Sequence, residues 1–221
     1  MDTSQQHALK TVQTYDRLAQ TYDRVSPVAT SLLFGNEAIA LEQVLGRIDA
    51  RPGEQVLDVC CGTGGFALAL APQTLPHGRV FGVDLSQHML RIAQSKNRFE
   101  HVRFVEGNAE VLPFAPDSFE RVCCTLTLHE MPALLRRNVL REMRRVTRAF
   151  GRVYILDWHL PRSYWRSLLL QTIILLSLRP EIGPEFLTGG LVGEVTSAGF
   201  VVEDFLTFGE GGLQLVVGRK V

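Results

Sequence analysis

The chain has no surplus of either charge, because its 23 lysines and arginines are matched by 23 aspartates and glutamates over 221 residues. That balance excludes the sequence-independent attraction by which strongly basic proteins hold nucleic acid or an anionic membrane, so no nucleic-acid partner is expected. No apolar run reaches the roughly 18 residues of a membrane-spanning helix, and no charged-apolar-small leader pattern opens the chain. A cytoplasmic location is the resulting expectation. Cysteine is scarce: four residues stand in two adjacent pairs, Cys60-Cys61 and Cys123-Cys124. Neither pair has C-x-x-C spacing, and neighbours on a strand point to opposite faces, so the thiols read as small hydrophobes of a reduced core, with a redox or soft-metal role as the alternative, and no metal site is assigned. Internal repeats, low-complexity tracts and long linkers are also missing. What is present is 46% hydrophobic residues, in a length that suits one main domain with some elaboration.

The chain is organised around Val56 to Gly65, where an apolar run meets a glycine-rich turn and then the helical pattern Phe66 to Ala71. Gly62, Gly64 and Gly65 allow a ligand to lie against main-chain N–H groups at a helix N-terminus. Gly62 to Ala67 also satisfies the dinucleotide pattern G-x-G-x-x-G/A, so the loop by itself admits a nicotinamide-dependent oxidoreductase. Asp58 separates the two readings. A carboxylate near the end of an apolar strand needs a partner. An extra negative charge is unhelpful beside a pyrophosphate, whereas it attracts a ligand carrying an ammonium and a sulfonium, such as S-adenosylmethionine. On these residues the stretch resembles the first motif of the class I S-adenosylmethionine-dependent methyltransferases, a strand ending in an acid followed by G-x-G-x-G. It departs from that motif at Cys60, which stands where the first glycine usually does.

Downstream, strand-like and helical stretches alternate. Arg79 to Val83, Val102 to Glu106, Phe119 to Leu126 and Arg152 to Leu156 read as strands, while Ser86 to Lys96, capped by Ser86, and Pro132 to Ala149 read as helices. This rhythm predicts an α/β fold, a mostly parallel Rossmann-like sheet with helices on both faces. The end differs: Phe200 to Phe208 and Leu213 to Arg219 are joined by Gly209 to Gly212, a hairpin that makes the last strand antiparallel. A parallel sheet finished in this way resembles the seven-stranded methyltransferase fold rather than the six-stranded dinucleotide fold. Residues 1–50 read as an N-terminal helical lid or substrate segment. Residues 51–221 read as the cofactor-binding domain, with an apolar helical insertion at about 162–190.

Ligands of doubly wound sheets bind at the carboxyl ends of the strands. Asp84 ends the second strand about 20 residues past the glycines, where an acid accepts hydrogen bonds from both ribose hydroxyls. The resemblance to the methyltransferases, carried from Gln55 to Asp157, implies further contacts. Asn108 stands where the family has an aspartate that meets the adenine amino group, and Ala109 brings a backbone N–H toward the ring. Cys60, Thr63, Leu85, Met89 and Thr125 are assigned to the cofactor with them. Asn108 also suits a plain turn.

On the reacting side, His129 and His159 follow the fourth and fifth strands and are the two candidate bases, with Trp158 as an aromatic wall. His129 also reads as a histidine that hydrogen-bonds at the turn and packs on the cofactor, while Glu130 and Asp157 read as helix caps. Tyr15, Tyr22 and Asp23 resemble the Y-D-x-x-A-x-x-Y-D segment of the ubiquinone and menaquinone biosynthesis C-methyltransferases. That resemblance implies a quinol-like acceptor, while the two tyrosines, on one helical face, read either as a lid with Tyr22 near the sulfonium or as a helix packed on the sheet. Leu168 to Leu178 is apolar nearly all round, and is a core helix, the wall of a lipophilic pocket or a peripheral lipid contact over 164–178. The arginines of Pro132 to Ala149 read as a solvated face. Together these features predict a methyltransferase acting on a small lipophilic or aromatic acceptor. A non-catalytic protein that keeps the cofactor-binding fold is the remaining alternative to it and to the oxidoreductase.

Overall fold

The computed structural model describes residues 37–176 and 186–221. Tyr15, Tyr22 and Asp23 lie outside the described residues. The described chain opens with helix α1 (Glu37–Ile48). Strand β1 (Gln55–Val59) leads into α2 (Gly65–Leu70), β2 (Arg79–Asp84) into α3 (Gln87–Lys96), and β3 (Val102–Glu106) follows. Next come β4 (Phe119–Thr125), α4 (Ala133–Val146), β5 (Thr147–Trp158) and α5 (Tyr164–Leu176). A short π-turn (Phe186–Gly190), α6 (Leu191–Ser197), β6 (Phe200–Phe208) and β7 (Leu213–Lys220) complete it.

The strands form one seven-stranded sheet in the order β3-β2-β1-β4-β5-β7-β6. The first five run parallel, and β7 lies antiparallel between β5 and β6, as the glycine-rich hairpin predicts. Strand β1 is central and carries cores on both faces, which is why its sequence reads as an apolar run, broken by Asp58, rather than as an alternation. Leu57 and Val59 pack with α4 and α6 through Val139, Met143 and Val195, while Val56 packs with α1 and α2 through Ile48, Ala67 and Leu70. The sequence direction of the sheet reverses between β1 and β4. Their carboxyl ends therefore diverge and leave the crevice in which such sheets bind ligands.

The boundary between the fourth helix and the fifth strand differs most from the sequence reading. Helix α4 stops at Val146, not at Ala149, and β5 begins immediately at Thr147. The register with β4 jumps from Phe119↔Thr147 to Arg121↔Arg152. The extra residues are absorbed by a bulge in which Phe150 takes φ 62°. At Gly151 a Cβ would sit 2.9 Å from the carbonyl oxygens of Arg148 and Glu120, so a side chain has no room there.

The arginines of α4 do not form one solvated face. Arg136 is buried, donates to both carboxylate oxygens of Glu194 and to the Met131 carbonyl, and lies over the Phe186 ring. Arg145 holds the carbonyls of Leu112 and Phe114 and the Glu142 carboxylate. Only Arg137 and Arg141, both exposed and on the outer side, fit the solvated reading.

Over residues 164–172, helix α5 has a buried and an exposed side. Leu170 is fully buried against the sheet, yet Tyr164, Trp165, Leu168 and Leu169 are exposed. No helix among the described residues is long and apolar enough to cross a membrane.

Candidate active site

The loop after β1 is tied to the end of β2. The Cys61 N–H donates to the Val83 carbonyl at 3.0 Å, and the Gly62 N–H donates to Oδ2 of Asp84 at 2.8 Å. Oδ1 of Asp84 accepts the Ser86 N–H at 2.9 Å, and the Ser86 hydroxyl caps α3 by accepting from Met89 N. Asp84 is thereby fixed at the strand end, partly open to solvent.

The glycines of the loop divide their work. A Cβ on Gly64 would lie 2.6 Å from Cζ of Phe104 and 2.8 Å from Cβ of Ala93, so Gly64, at φ 76°, is demanded by packing against β3 and α3. A Cβ on Gly62 would meet nothing within 4 Å. Gly62 borders open space at the head of the strands, a cradle that a ligand can fill.

Cys60 explains its own irregularity. It adopts φ 58°, the left-handed region in which glycine is at ease and a residue with a Cβ costs about 1–2 kcal/mol. Glycine returns about 0.5–1 kcal/mol of that through its freer unfolded chain. Cys60→Gly should therefore raise the melting temperature by a degree or a few, measured by thermal denaturation without ligand. A lower melting temperature would mean that the Cys60 thiol, which lies against Cys124, contributes more than its backbone costs.

Asp58 is fully buried, opposite Gly82 on one side and Cys123 on the other. Neither of its carboxylate oxygens has a hydrogen-bond partner among the described residues. Burial first, and then the charge of Asp84, push its pKa up to about 8; the Ala67 N–H opposes the rise without reaching hydrogen-bond geometry. An orphaned acid under a glycine cradle fits a cationic ligand group. Burial likewise pushes the Cys61 and Cys123 thiols well above their ordinary range, in keeping with inert core thiols.

The remaining assigned residues ring the same end of the sheet. Asn108 is exposed, and its side-chain oxygen accepts the Glu110 N–H at 2.9 Å in a local turn, which leaves one lone pair free. Ala109 is half-buried beside it, Leu85 is exposed and Met89 is buried. Thr125 ends β4, and its carbonyl accepts the Thr127 hydroxyl at 2.9 Å.

After Thr125 the chain turns through Leu126, at φ 52°, into a short 3₁₀ turn (Leu128–Glu130) that carries His129. The imidazole is buried, with Nδ1 2.6 Å from Oδ1 of Asp157 and its ring stacked on Trp158 at 3.8 Å between centroids. The His129 N–H also donates to Oδ2 of Asp157 at 3.2 Å. A carboxylate at Nδ1 keeps the proton there and leaves Nε2 as the basic nitrogen. Asp157 is thus no helix cap. It is a buried carboxylate at the end of β5 that orients an imidazole, and the sequence reading missed this role. His159 is placed elsewhere: its Nδ1 donates to the Gly211 carbonyl at 2.7 Å and its ring leans toward Phe205 of β6, so it ties β5 to the hairpin turn.

A sheet of this order, with a glycine loop after β1, an acid ending β2 and a crevice between β1 and β4, is the fold of the class I S-adenosylmethionine-dependent methyltransferases, and the chain belongs to that class. Residues 56–151 match the family described as Methyltransferase domain. The chain is similar to the demethylmenaquinone methyltransferase of Geobacillus kaustophilus, 34% identical over 153 residues, which cover 68% of this chain and 63% of that one. It is also similar to the Staphylococcus aureus protein of the same description, 33% identical over 148 residues, or 66% and 59% of the two chains. The chain thus spans about three fifths of the length of these relatives. Among solved structures it resembles a SAM-dependent methyltransferase from Aquifex aeolicus, with TM-score 0.68, 20% identity and coverage of 92% of this chain and 98% of that one. One from Methanosarcina mazei has TM-score 0.65 and 20% identity, covering 80% and 97%. These likenesses are to methyltransferases and lend no support to a nicotinamide-dependent oxidoreductase.

Proposed function

We propose that the protein transfers a methyl group from S-adenosylmethionine to a small lipophilic or aromatic acceptor of quinol type. The observation that carries this reading is the His129–Asp157 pair, set at the same end of the sheet as the Gly62 cradle and Asp84. The similarity to demethylmenaquinone methyltransferases supports the acceptor class.

In this reading Asp58 answers the ammonium of the cofactor, Asp84 its ribose hydroxyls, and Asn108 and Ala109 its adenine. The Cys60 to Gly64 loop with Thr63, the side chains of Leu85 and Met89, and Thr125 shape the space around it. The tyrosine pattern assigns residues 1–50 to a lid, with Tyr22 near the sulfonium, over the cofactor domain of 51–221. The cofactor supplies a methyl group on a positively charged sulfur, and the electrons of the broken C–S bond stay with that sulfur. His129 Nε2 receives the proton released by the acceptor, and Asp157 offsets the charge that the imidazole gains. Holding acceptor and methyl in line can lower a barrier by about 7–11 kcal/mol, against a base's 10²–10⁴-fold, or roughly 3–5 kcal/mol. Positioning by the loop and strand ends therefore carries the larger share.

The test is a cofactor-consumption screen over quinols, phenols, amines and lipid headgroups, read by mass spectrometry for a gain of one methyl. Methylated quinols are the expected product. Turnover on amines alone would overturn the acceptor class, and no turnover on any panel member would favour the non-catalytic alternative.

A lipophilic acceptor also gives the exposed side of α5 a role, and we assign Tyr164, Trp165, Leu168 and Leu169 to contact with a lipid surface. Aromatic and aliphatic side chains on one helix face partition into the headgroup boundary. The double variant Trp165→Ser, Leu169→Gln should lower the partition constant for phospholipid vesicles, read by sedimentation, by about tenfold, since two such side chains contribute at least about 1.4 kcal/mol of burial. Unchanged sedimentation would return this face to solvent.

A further inference from the structure

Strand β7 brings one polar side chain to the corner occupied by His129 and Asp157. Gln214 stands directly opposite Asp157 in the β5–β7 ladder, so the two side chains share a face of the sheet. It is fully buried. Its Nε2 donates to the Trp158 carbonyl at 2.6 Å and to the Phe186 carbonyl at 3.1 Å. Two carbonyls on one side of the amide fix its orientation, because a flipped amide would set oxygen against oxygen. Oε1 is therefore directed away from both carbonyls, and it has no hydrogen-bond partner among the described residues. A buried acceptor without a donor is uncommon and unfavourable. Leu213, Leu215 and Val216 around it show that apolar side chains fill this part of β7 without difficulty. The missing partner is a donor, and the Trp158 whose carbonyl anchors Gln214 is the same residue whose ring stacks on His129.

We propose that Gln214 is a specificity-determining residue whose Oε1 accepts a hydrogen bond from a hydroxyl or N–H group of the methyl acceptor. This rests on the methyl-transfer reading and narrows it: the acceptor carries a donor besides the atom that is methylated, as a quinol with two hydroxyls does. Sites built to hydrogen-bond a hydroxyl reject analogues that lack it, because their own buried group is then left unpaired.

The test uses two probes on the same ring system, one with and one without an O–H donor, 1-naphthol and 1-methoxynaphthalene, titrated into the whole protein saturated with S-adenosylhomocysteine. The wild type is expected to bind 1-naphthol at least about tenfold more tightly. Gln214→Met, unbranched and of similar length, should remove that preference while leaving affinity for 1-methoxynaphthalene within about twofold. Gln214→Leu serves as a second deletion should the Met variant fail to fold. Gln214→Glu, whose buried protonated carboxyl can donate to one carbonyl and still present an acceptor, should restore the preference. Equal affinity of the wild type for both probes, as a resident water on Oε1 would give, overturns the proposal; so does a preference that survives in Gln214→Met or Gln214→Leu. Methyl transfer is measured separately. Turnover with equal probe affinities would sink the role of Gln214 and spare the methyltransferase reading, whereas a Gln214-dependent preference without turnover on any acceptor would do the reverse.

Discussion

Asp58→Asn should make the ligand-free protein more stable than the wild type at pH 8 and nearly equal to it at pH 4. In the unfolded chain this carboxyl ionises near 3.8, while burial and the charge of Asp84 hold it protonated up to about pH 8 in the folded state. The folded state therefore binds more protons across that interval, and stability falls as pH rises through it. The gap sets a ceiling of about 6 kcal/mol on the loss at pH 8, at 1.36 kcal/mol for each tenfold change in proton affinity. Asparagine cannot ionise, so its stability advantage should grow from pH 4 to pH 8 in urea denaturation. A difference that stays flat with pH would show that Asp58 finds a partner in the folded state. The cofactor's ammonium is the partner proposed for it. Binding of S-adenosylhomocysteine, which keeps that ammonium, should release close to one proton per site at pH 7, seen calorimetrically in buffers of different ionisation enthalpy. The Asp58→Asn protein should release none and bind more weakly.

His129→Ala should lose about 10²–10⁴-fold in turnover with little change in affinity for S-adenosylhomocysteine. The first range follows from removing a general base; the second follows because no cofactor role is assigned to the imidazole. Asp157→Asn keeps the size of the orienting group, but its amide can present an N–H to Nδ1 and favour the other tautomer. It should therefore approach the alanine variant in turnover while preserving the fold. A lone imidazole acting as a ring wall on the cofactor gives a different result, namely weaker cofactor binding and near-normal turnover at saturation. Full turnover in His129→Ala would leave His159, whose Nδ1 is held by the Gly211 carbonyl, or positioning alone to account for catalysis.

The parts legible in the sequence were those whose signal is local. The β1–loop–α2 unit shows as an apolar run, three glycines and a helical pattern within Val56 to Ala71, and the β6–β7 hairpin shows as a glycine cluster between two apolar stretches. Asp84 is legible as an acid that ends a strand about 20 residues past the glycines. What stayed hidden depends on distant partners or on backbone angles that residue type does not announce. Asp157 meets His129 across 28 positions, although the argument applied to Asp58, that an acid ending an apolar strand needs a partner, applied to it equally. Arg136 was assigned to solvent, yet it lies three, four and seven residues before Val139, Leu140 and Met143, on the stripe that α4 buries. Its partner Glu194 is 58 residues away. The left-handed Phe150 that bends β5 carries no signal at all in a residue type that rarely adopts it.

The placement of β7 between β5 and β6 has a consequence for the way the sheet is completed. Among the described residues β6 pairs with no strand other than β7, and β5 has β7 as its neighbour on the side away from β4. During synthesis β5 must therefore wait as an open edge, with its row of unpaired N–H and C=O groups exposed, until the last strand of the sheet leaves the ribosome. The wedge then closes that edge and places Gln214 opposite Asp157 in a single step. The reacting corner is thus the last part of the sheet to be assembled, and chains released before residue 213 should meet one another through β5 rather than fold.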